Sequence, residues 1–334
     1  MMGKQKTRER NFGWATRDGR AVHISEVFRG LKCGCICSEC GSRLVARKGP
    51  KRKHHFAHES SDVCLNAGET GLHKAAKGIL VRRKEIALPD VKVESGYIKP
   101  LRSFDGHEMD MEGDFSVYWN KPVDIAPKYS CTFDSIEAEK SFRGFRPDLY
   151  ATKDGKPMFI EICVTHKVSE QKIEHFRKLG VSVLEVDLSE VSRDINPEEL
   201  ESLVIGSVSN KRWLYNVRCE QEKERIFSLS TVRETRERGL AIHVDGCPLP
   251  ARIWNGLPYA NMIDDCACAC KYAIAFWDGA VVCSASESST TENAFAEKDV
   301  EAREVLLSPD DLQKQFEEDD KRALEARQRR QGTA

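Results

Sequence analysis

Two hydrophobic periods divide this chain. Over residues 69–81, Leu72, Ala76, Ile79 and Leu80 form one helical stripe, and Glu69, His73 and Lys77, at i, i+4 and i+8, share a second face. Residues 135–139 alternate as a strand and 147–152 form a second. Residues 158–164 are almost continuously apolar, the pattern of a central strand. Residues 170–179 predict a short helix ended by Gly180, and 181–188 a fourth strand. Counted from the first helix, the order is α-β-β-β-α-β.

The flanking text is less regular. Short strand-like runs occupy 21–24 and 43–47, followed by a Lys48-Gly49-Pro50 turn. Residues 90–133 are rich in Gly, Pro and Asp and predict loops with one short strand around 115–119. From 196 to 235 the pattern is helical and charged. A Cys-rich segment over 239–284 has strand-like text at 274–276 and 281–283. The tail from Pro309, with Glu317-Glu318-Asp319-Asp320-Lys321-Arg322, predicts a charged helix or disordered arm without a chemical role. The domain expectation is therefore a basic module at 1–66, the αβββαβ core at 67–195, a helical connector at 196–238, a small Cys-rich module at 239–290 and a tail at 291–334.

Composition changes that picture in three places. With 334 residues, 40% hydrophobic and 31% charged, the chain has room for about two domains with cores. Its net charge of −1 hides a basic N-terminus, in which Arg43, Arg47, Lys48, Lys51, Arg52 and Lys53 are part of a surplus over only five acidic residues in the first sixty. Such a segment points to a polyanion contact. The N-terminus has no apolar stretch that would make a signal peptide, and no run approaches the roughly 18 apolar residues of a membrane span. The expected compartment is the cytoplasm, where thirteen cysteines read as metal ligands, core thiols or reactive thiols rather than disulfides.

Cys37-Ser38-Glu39-Cys40-Gly41 is a Cys-x-x-Cys knuckle, with His55, His58 and Cys64 downstream. Two thiolates and one or two imidazoles complete a tetrahedral zinc site. His55 and His58 are both candidate ligands, and Cys33 and Cys35 are spare thiols nearby. The metal would staple a module presenting Arg47, Lys48, Lys51, Arg52 and Lys53 to DNA, with Lys77 added from the helix. A second cluster, Cys247, Cys266, Cys270 and Cys283, is a candidate zinc ribbon, although Cys266-x-Cys268-x-Cys270 is not knuckle spacing.

The middle of the chain carries Arg146-Pro147-Asp148 and then Ile160-Glu161-Ile162-Cys163 on the next strand. Asp148 and Glu161 can meet across neighbouring strands, and Glu137 or Glu139 can add a third carboxylate from the strand before. Paired carboxylates form a cradle for Mg²⁺ or Mn²⁺, which polarises a phosphodiester and generates hydroxide near neutral pH. His166 is a candidate auxiliary acid or base.

Together, Cys37-x-x-Cys40-Gly41, Arg47-Lys48-Gly49, His55-Phe56-Ala57-His58, Cys64 and Glu69-x-x-x-His73-x-x-x-Lys77 resemble the competence protein CoiA-like family. Arg146-Pro147-Asp148, Ile160-Glu161-Ile162-x-Val164-Thr165-His166, Lys172 and Glu185-Val186-Asp187-Leu188-Ser189 extend the resemblance to roughly 20–190. It implies a zinc-binding N-terminal module joined to a PD-(D/E)XK, restriction-endonuclease-like domain, α/β in class and α+β overall. It also implies that the main-chain carbonyl of Ile162 is a further metal ligand. The family's lysine after the acidic residue is replaced here by Cys163. A thiol cannot orient water or stabilise phosphoryl charge, so Lys172 is the candidate substitute and Lys167 the second. The expectation is a metal-dependent DNA nuclease. The alternative is an inert nuclease fold that binds DNA and mediates recombination or uptake, which Cys163 favours. A zinc transcription regulator is the weakest reading, because no helix-turn-helix pattern is present.

Overall fold

A computed structural model of the chain describes residues 12–60, 64–98, 117–120, 122–239, 241–249, 252–254, 257–277, 279–286, 289 and 321. The charged tail, apart from Lys321, lies outside them. The chain forms two compact units, one from residues 1–91 and 126–218 and the other from 92–125 and 219–334.

The first unit begins with two hairpins. β1 (Trp14–Arg17) pairs with β2 (Arg20–His23) through an Asp18-Gly19 turn whose φ values, 49° and 77°, match the twist of the strands. β3 (Leu44–Arg47) pairs with β4 (His55–His58). Backbone bridges from Phe12 to Phe56 and from Thr16 to Ile36 join these hairpins around a core of Phe12, Ile24, Leu44, Phe56, Cys33 and Cys35.

α1 (Ala67–Arg83) follows and ends at Lys84, which adopts the left-handed conformation. A Cβ at Gly71 would lie 2.7 Å from the carbonyl oxygen of Trp14, so glycine lets α1 press against β1. β5 (Glu85–Leu88) pairs with β6 (Tyr129–Thr132). Then come β7 (Ser135–Ala138), β8 (Leu149–Lys153), β9 (Lys156–Cys163), α2 (Glu170–Leu179), β10 (Ser182–Asp187) and β11 (Lys211–Tyr215). Strands β7 to β11 form one five-stranded sheet in chain order, with β9 at its centre. β9 and β10 are parallel, joined by the α2 crossover, and the other neighbours are antiparallel.

Side-chain parity on β9 divides two cores. Met158, Ile160 and Ile162 pack with Leu72, Ala76, Ile79 and Leu80 of α1. Phe159 faces the other way, with Ile173 and Phe176 of α2 and Val183 of β10. The sheet is therefore buried on both faces, which accounts for the continuous apolar run of β9.

The connector is not helical throughout. Pro197–Glu201 is a short helix, Lys211–Tyr215 becomes the edge strand β11, Val217–Ser228 is a helix, and Thr231–Arg238 is a strand. The closely spaced charges of that last strand read as a helix because its side chains are exposed or half-buried on both faces.

In the second unit, the Cys-rich text belongs to more than a small free-standing ribbon. Strands Arg252–Trp254, Leu257–Asn261, Ala241–Asp245, Thr231–Arg238, Ala280–Cys283, Ala273–Trp277, Val117–Trp119 and Gly96–Ile98 lie side by side in one eight-stranded sheet. Two of those strands come from the 90–133 stretch that reads as loops with a single strand. Trp119, Phe227, Ile274 and Val282 pack against one another in its core. No helix among the described residues is long and apolar enough to cross a membrane.

Candidate functional site

The β8–β9 register pairs Leu149 with Ile160, which brings the preceding Asp148 opposite Glu161. Glu161 shares the parity of Phe159, so it points toward α2. There Nζ of Lys172 donates to Oε2 of Glu161 at 2.8 Å. Oε1 of Glu161 is buried and has no hydrogen-bond partner among the described residues. Burial first, then the neighbouring Asp148 charge, push the Glu161 carboxyl up to about 7 against the pull of Lys172.

Asp148 is held from the opposite side. Nε2 of His73 on α1 lies 3.0 Å from Oδ2, and the backbone N–H of Ile162 donates to the same oxygen at 2.9 Å. Nζ of Lys77 stands 3.7 Å from Oδ1. Burial acts to raise the Asp148 carboxyl, but His73, the Ile162 N–H and Lys77 outweigh it and hold it low. The two carboxylates thus differ: Asp148 stays ionised, and Glu161 is poised near neutrality. His73 is the residue that the motif reading missed. Its signal was the shared helical face of Glu69, His73 and Lys77. Lys77 is only 9% exposed and bonds Oε1 of Glu139 at 2.9 Å, so it belongs to this site rather than to a DNA-facing surface.

Of the other acidic residues, Glu139 lines the same cleft as Asp148 and shares Lys77 with it, whereas Glu137 does not. Glu139 adopts a left-handed φ of 54° just after β7, which breaks the strand period it would need to share a face with Glu137. Lys77 first and Arg146 second hold its carboxyl below the usual range. Glu137 is exposed and pairs with Lys140 at 2.7 Å, away from Asp148. Cys163 is buried, donates toward the carbonyl of His166 at 3.4 Å, and is pushed up to about 11 by burial and by Glu185 and Asp187. Lys167 acts on Cys163 and Asp187, leaving Lys172 to meet Glu161. His166 is exposed on the rim of a cleft of about 170 Å³ shared with Glu69 and His73.

In the N-terminal module, Cys37, Cys40, His58 and Cys64 bring their ligand atoms within 4.8 Å of one another. Sγ of Cys37 and Sγ of Cys64 are 3.9 Å apart, and Sγ of Cys40 is 3.3 Å from Nε2 of His58. Tetrahedral zinc with bonds of about 2.3 Å to sulfur needs S···S edges of about 3.8 Å. The donor set fits, and this Cys₃His cluster can hold zinc. His55 stands apart, because residues three apart on β4 point to opposite faces, and its Nδ1 lies 2.9 Å from the Lys53 carbonyl oxygen. Within the knuckle, burial pushes Cys37 up to about 12, whereas hydrogen bonding from Ser42 leads the fall of Cys40 to about 6. Cys33 and Cys35 donate to the carbonyls of Leu44 and Cys33 and are core thiols.

Hydrogen bonds tie the knuckle to α1. The Thr70 hydroxyl donates to Glu39, and Nζ of Lys74 reaches Oγ1 of Thr16, itself 2.8 Å from the Ser38 hydroxyl. Ser38 also lines the cleft of about 500 Å³ that contains His73, Lys77 and Asp148. Of the basic residues, Arg47, Lys51 and Arg52 are exposed. Lys48 instead donates to the carbonyls of Val27 and Ser25, and Lys53 pairs with Asp194.

Residues 26–67 match the family model described as competence protein CoiA, N-terminal domain. The N-terminal module is similar to a CoiA N-terminal domain over that segment. The matched segment contains the whole Cys₃His cluster and ends where α1 begins, and it supports the CoiA-like family for the chain. Comparisons with curated proteins and with solved structures return no match.

Proposed function

We propose that this chain is a metal-dependent DNA nuclease with a PD-(D/E)XK core and a competence-related role. The observation that carries the reading is the Asp148–Glu161 pair, in which the buried Oε1 of Glu161 has no hydrogen-bond partner among the described residues. Two carboxylates of which one raises the other persist together when a proton or a cation offsets their repulsion. Hard divalent cations take such oxygen ligands together with water. Asp148, Glu161 and the Ile162 carbonyl are the ligands that would hold Mg²⁺ or Mn²⁺, with His73 closing the α1 side. Bound there, the ion supplies Lewis-acid polarisation of a phosphodiester and a more acidic water.

The chain's own groups do the rest. Lys172 favours the ionised form of Glu161 and brings positive charge to the place the family's lysine would occupy. His73 and the Ile162 N–H orient Asp148. Lys77 and Arg146 neutralise Glu139, which keeps a third carboxylate from adding repulsion. His166, exposed on the rim, is available to exchange a proton with a leaving oxygen. Arg47, Lys51 and Arg52 offer charge to the DNA backbone. The family description of the N-terminal module supports the competence-related role.

The second reading, an inert nuclease fold that binds DNA, is favoured by Cys163, a buried thiol where the family has a lysine. Titration with Mn²⁺ separates the two. If Asp148→Ala loses both the bound ion and DNA cleavage, the enzyme stands. If the parent binds DNA and cuts none with any divalent ion, the inert reading replaces it.

A further inference from the structure

We propose that Cys247, Cys266, Cys270 and Cys283 form a second zinc site, a four-thiolate centre that staples the second unit. The four residues come from the turn after strand Ala241–Asp245, from the helical turn Met262–Ala267 and its exit, and from the end of strand Ala280–Cys283. All four meet in one cluster with Val244, Leu249 and Phe276. Cys266, Cys270 and Cys283 are buried and Cys247 is half-buried, whereas Cys268 points to solvent.

Backbone pairing sets their approach. Cys283 is in register with Ala273, whose N–H donates to the Cys270 carbonyl at 3.4 Å. Arg233 donates to the carbonyls of Gly246 and Ala285, which draws the Cys247 turn toward the end of the Cys283 strand. Asp265, itself buried, accepts from Arg252 and from the Asn261 N–H, and its carbonyl accepts the Cys270 N–H at 2.7 Å. That network holds the Cys266–Cys270 turn independently of its thiols.

One detail resembles the N-terminal cluster. The Leu249 N–H bonds the Cys247 sulfur two residues back, as the Glu39 N–H bonds Cys37. Among the described residues, Nε of Arg233 is buried without a hydrogen-bond partner, and its guanidinium lies near the Cys247 thiol. Cys266 and Cys247 each lie close enough to Cys270 and Cys283 to interact with them, and a divalent cation binds such thiols as thiolates. Among the described residues, the N-terminal quartet is the group whose ligand atoms all lie within 4.8 Å. The C-terminal thiols are spread more widely, so an ion would draw their segments inward.

The test needs no nuclease activity and stands apart from that reading. Metal analysis of the full chain, purified without chelator, is expected to give two zinc ions per chain. Cys247→Ser and Cys283→Ser should each leave one, and Cys268→Ser should keep two. Should those two variants fail to fold, Co²⁺ loading of Cys40→Ser decides, with a four-thiolate cobalt spectrum expected from the remaining ion. A parent with one zinc that Cys40→Ser removes overturns the proposal. So does a thiol titration of the denatured, chelated protein that finds disulfides among the four.

Discussion

Lys172 on α2 reaches back to Glu161 on β9, with Nζ 2.8 Å from Oε2, while Cys163, two residues beyond Glu161 on the same strand face, stays a buried thiol. On the proposed nuclease reading, the positive charge that Cys163 cannot carry arrives from the next helix. Ser169 caps that helix by accepting the Lys172 N–H, which fixes the residue in the first turn. Phe145 and Phe176 flank the ammonium at 5.4 and 5.9 Å from their ring centres. Lys172→Met should lower DNA cleavage about 100-fold or more, the scale seen when one transition-state donor is removed. Cys163→Ser should leave the rate close to the parent's. Single-turnover cleavage of one labelled duplex checks both.

Glu161 also makes the fold pH-sensitive. Between its ordinary value of 4.5 and about 7, the native state retains a proton that the unfolded chain has released. Stability therefore falls as pH rises through that window. The loss is on the order of 3 kcal/mol, from about 1.4 kcal/mol per pKa unit. Glu161→Gln should flatten the decline measured by denaturant melts from pH 4.5 to 8 without added divalent ion. Mg²⁺ should restore stability at pH 8 in the parent, by about 2.7 kcal/mol at a hundredfold excess over Kd, and should do nothing for the variant.

The choice between the two histidines is testable directly. His58→Ala should cost the N-terminal module its zinc and lower its melting temperature, because the metal bond contributes to folding. His55→Ala should keep both. The His58 variant should also cut DNA more slowly, since Glu39 and Ser38 of the knuckle brace the helix that carries His73. Zinc content, thermal melts and cleavage rates on the same preparations check these outcomes.

DNA affinity should depend steeply on salt. Removing the charge that neutralises one duplex phosphate reduces the log–log salt slope by about 0.9. Arg47→Ala, Lys51→Ala and Arg52→Ala should each show part of that reduction. Lys48→Ala should instead loosen the loop at Ser25 and Val27, lowering stability with little change in slope. Binding isotherms at several salt concentrations distinguish the two behaviours.

Much of this was legible in the order of residues. The period of 170–179 and the stop at Gly180 give α2 with matching ends, because a solvated helix with one buried stripe leaves a clear pattern. The continuous apolar run of β9 marks a strand covered on both faces. Local periodicity cannot report chain reversals, so the left-handed Glu139 that separates it from Glu137 was hidden. Nor can it report strands paired across long insertions, such as Val117–Trp119 beside Ala273–Trp277. His73 lay in plain view on the Glu69–Lys77 face. Its tie to Asp148, seventy-five residues away, is a tertiary fact.

The most direct test is cleavage of linear, circular single-stranded and supercoiled DNA by the full chain in Mg²⁺, Mn²⁺ or EDTA, beside Glu161→Gln, with DNA binding measured on the same samples. The account predicts divalent-dependent cutting by the parent, and a Glu161→Gln variant that binds DNA and does not cut. A parent that binds every substrate and cuts none in either metal contradicts it.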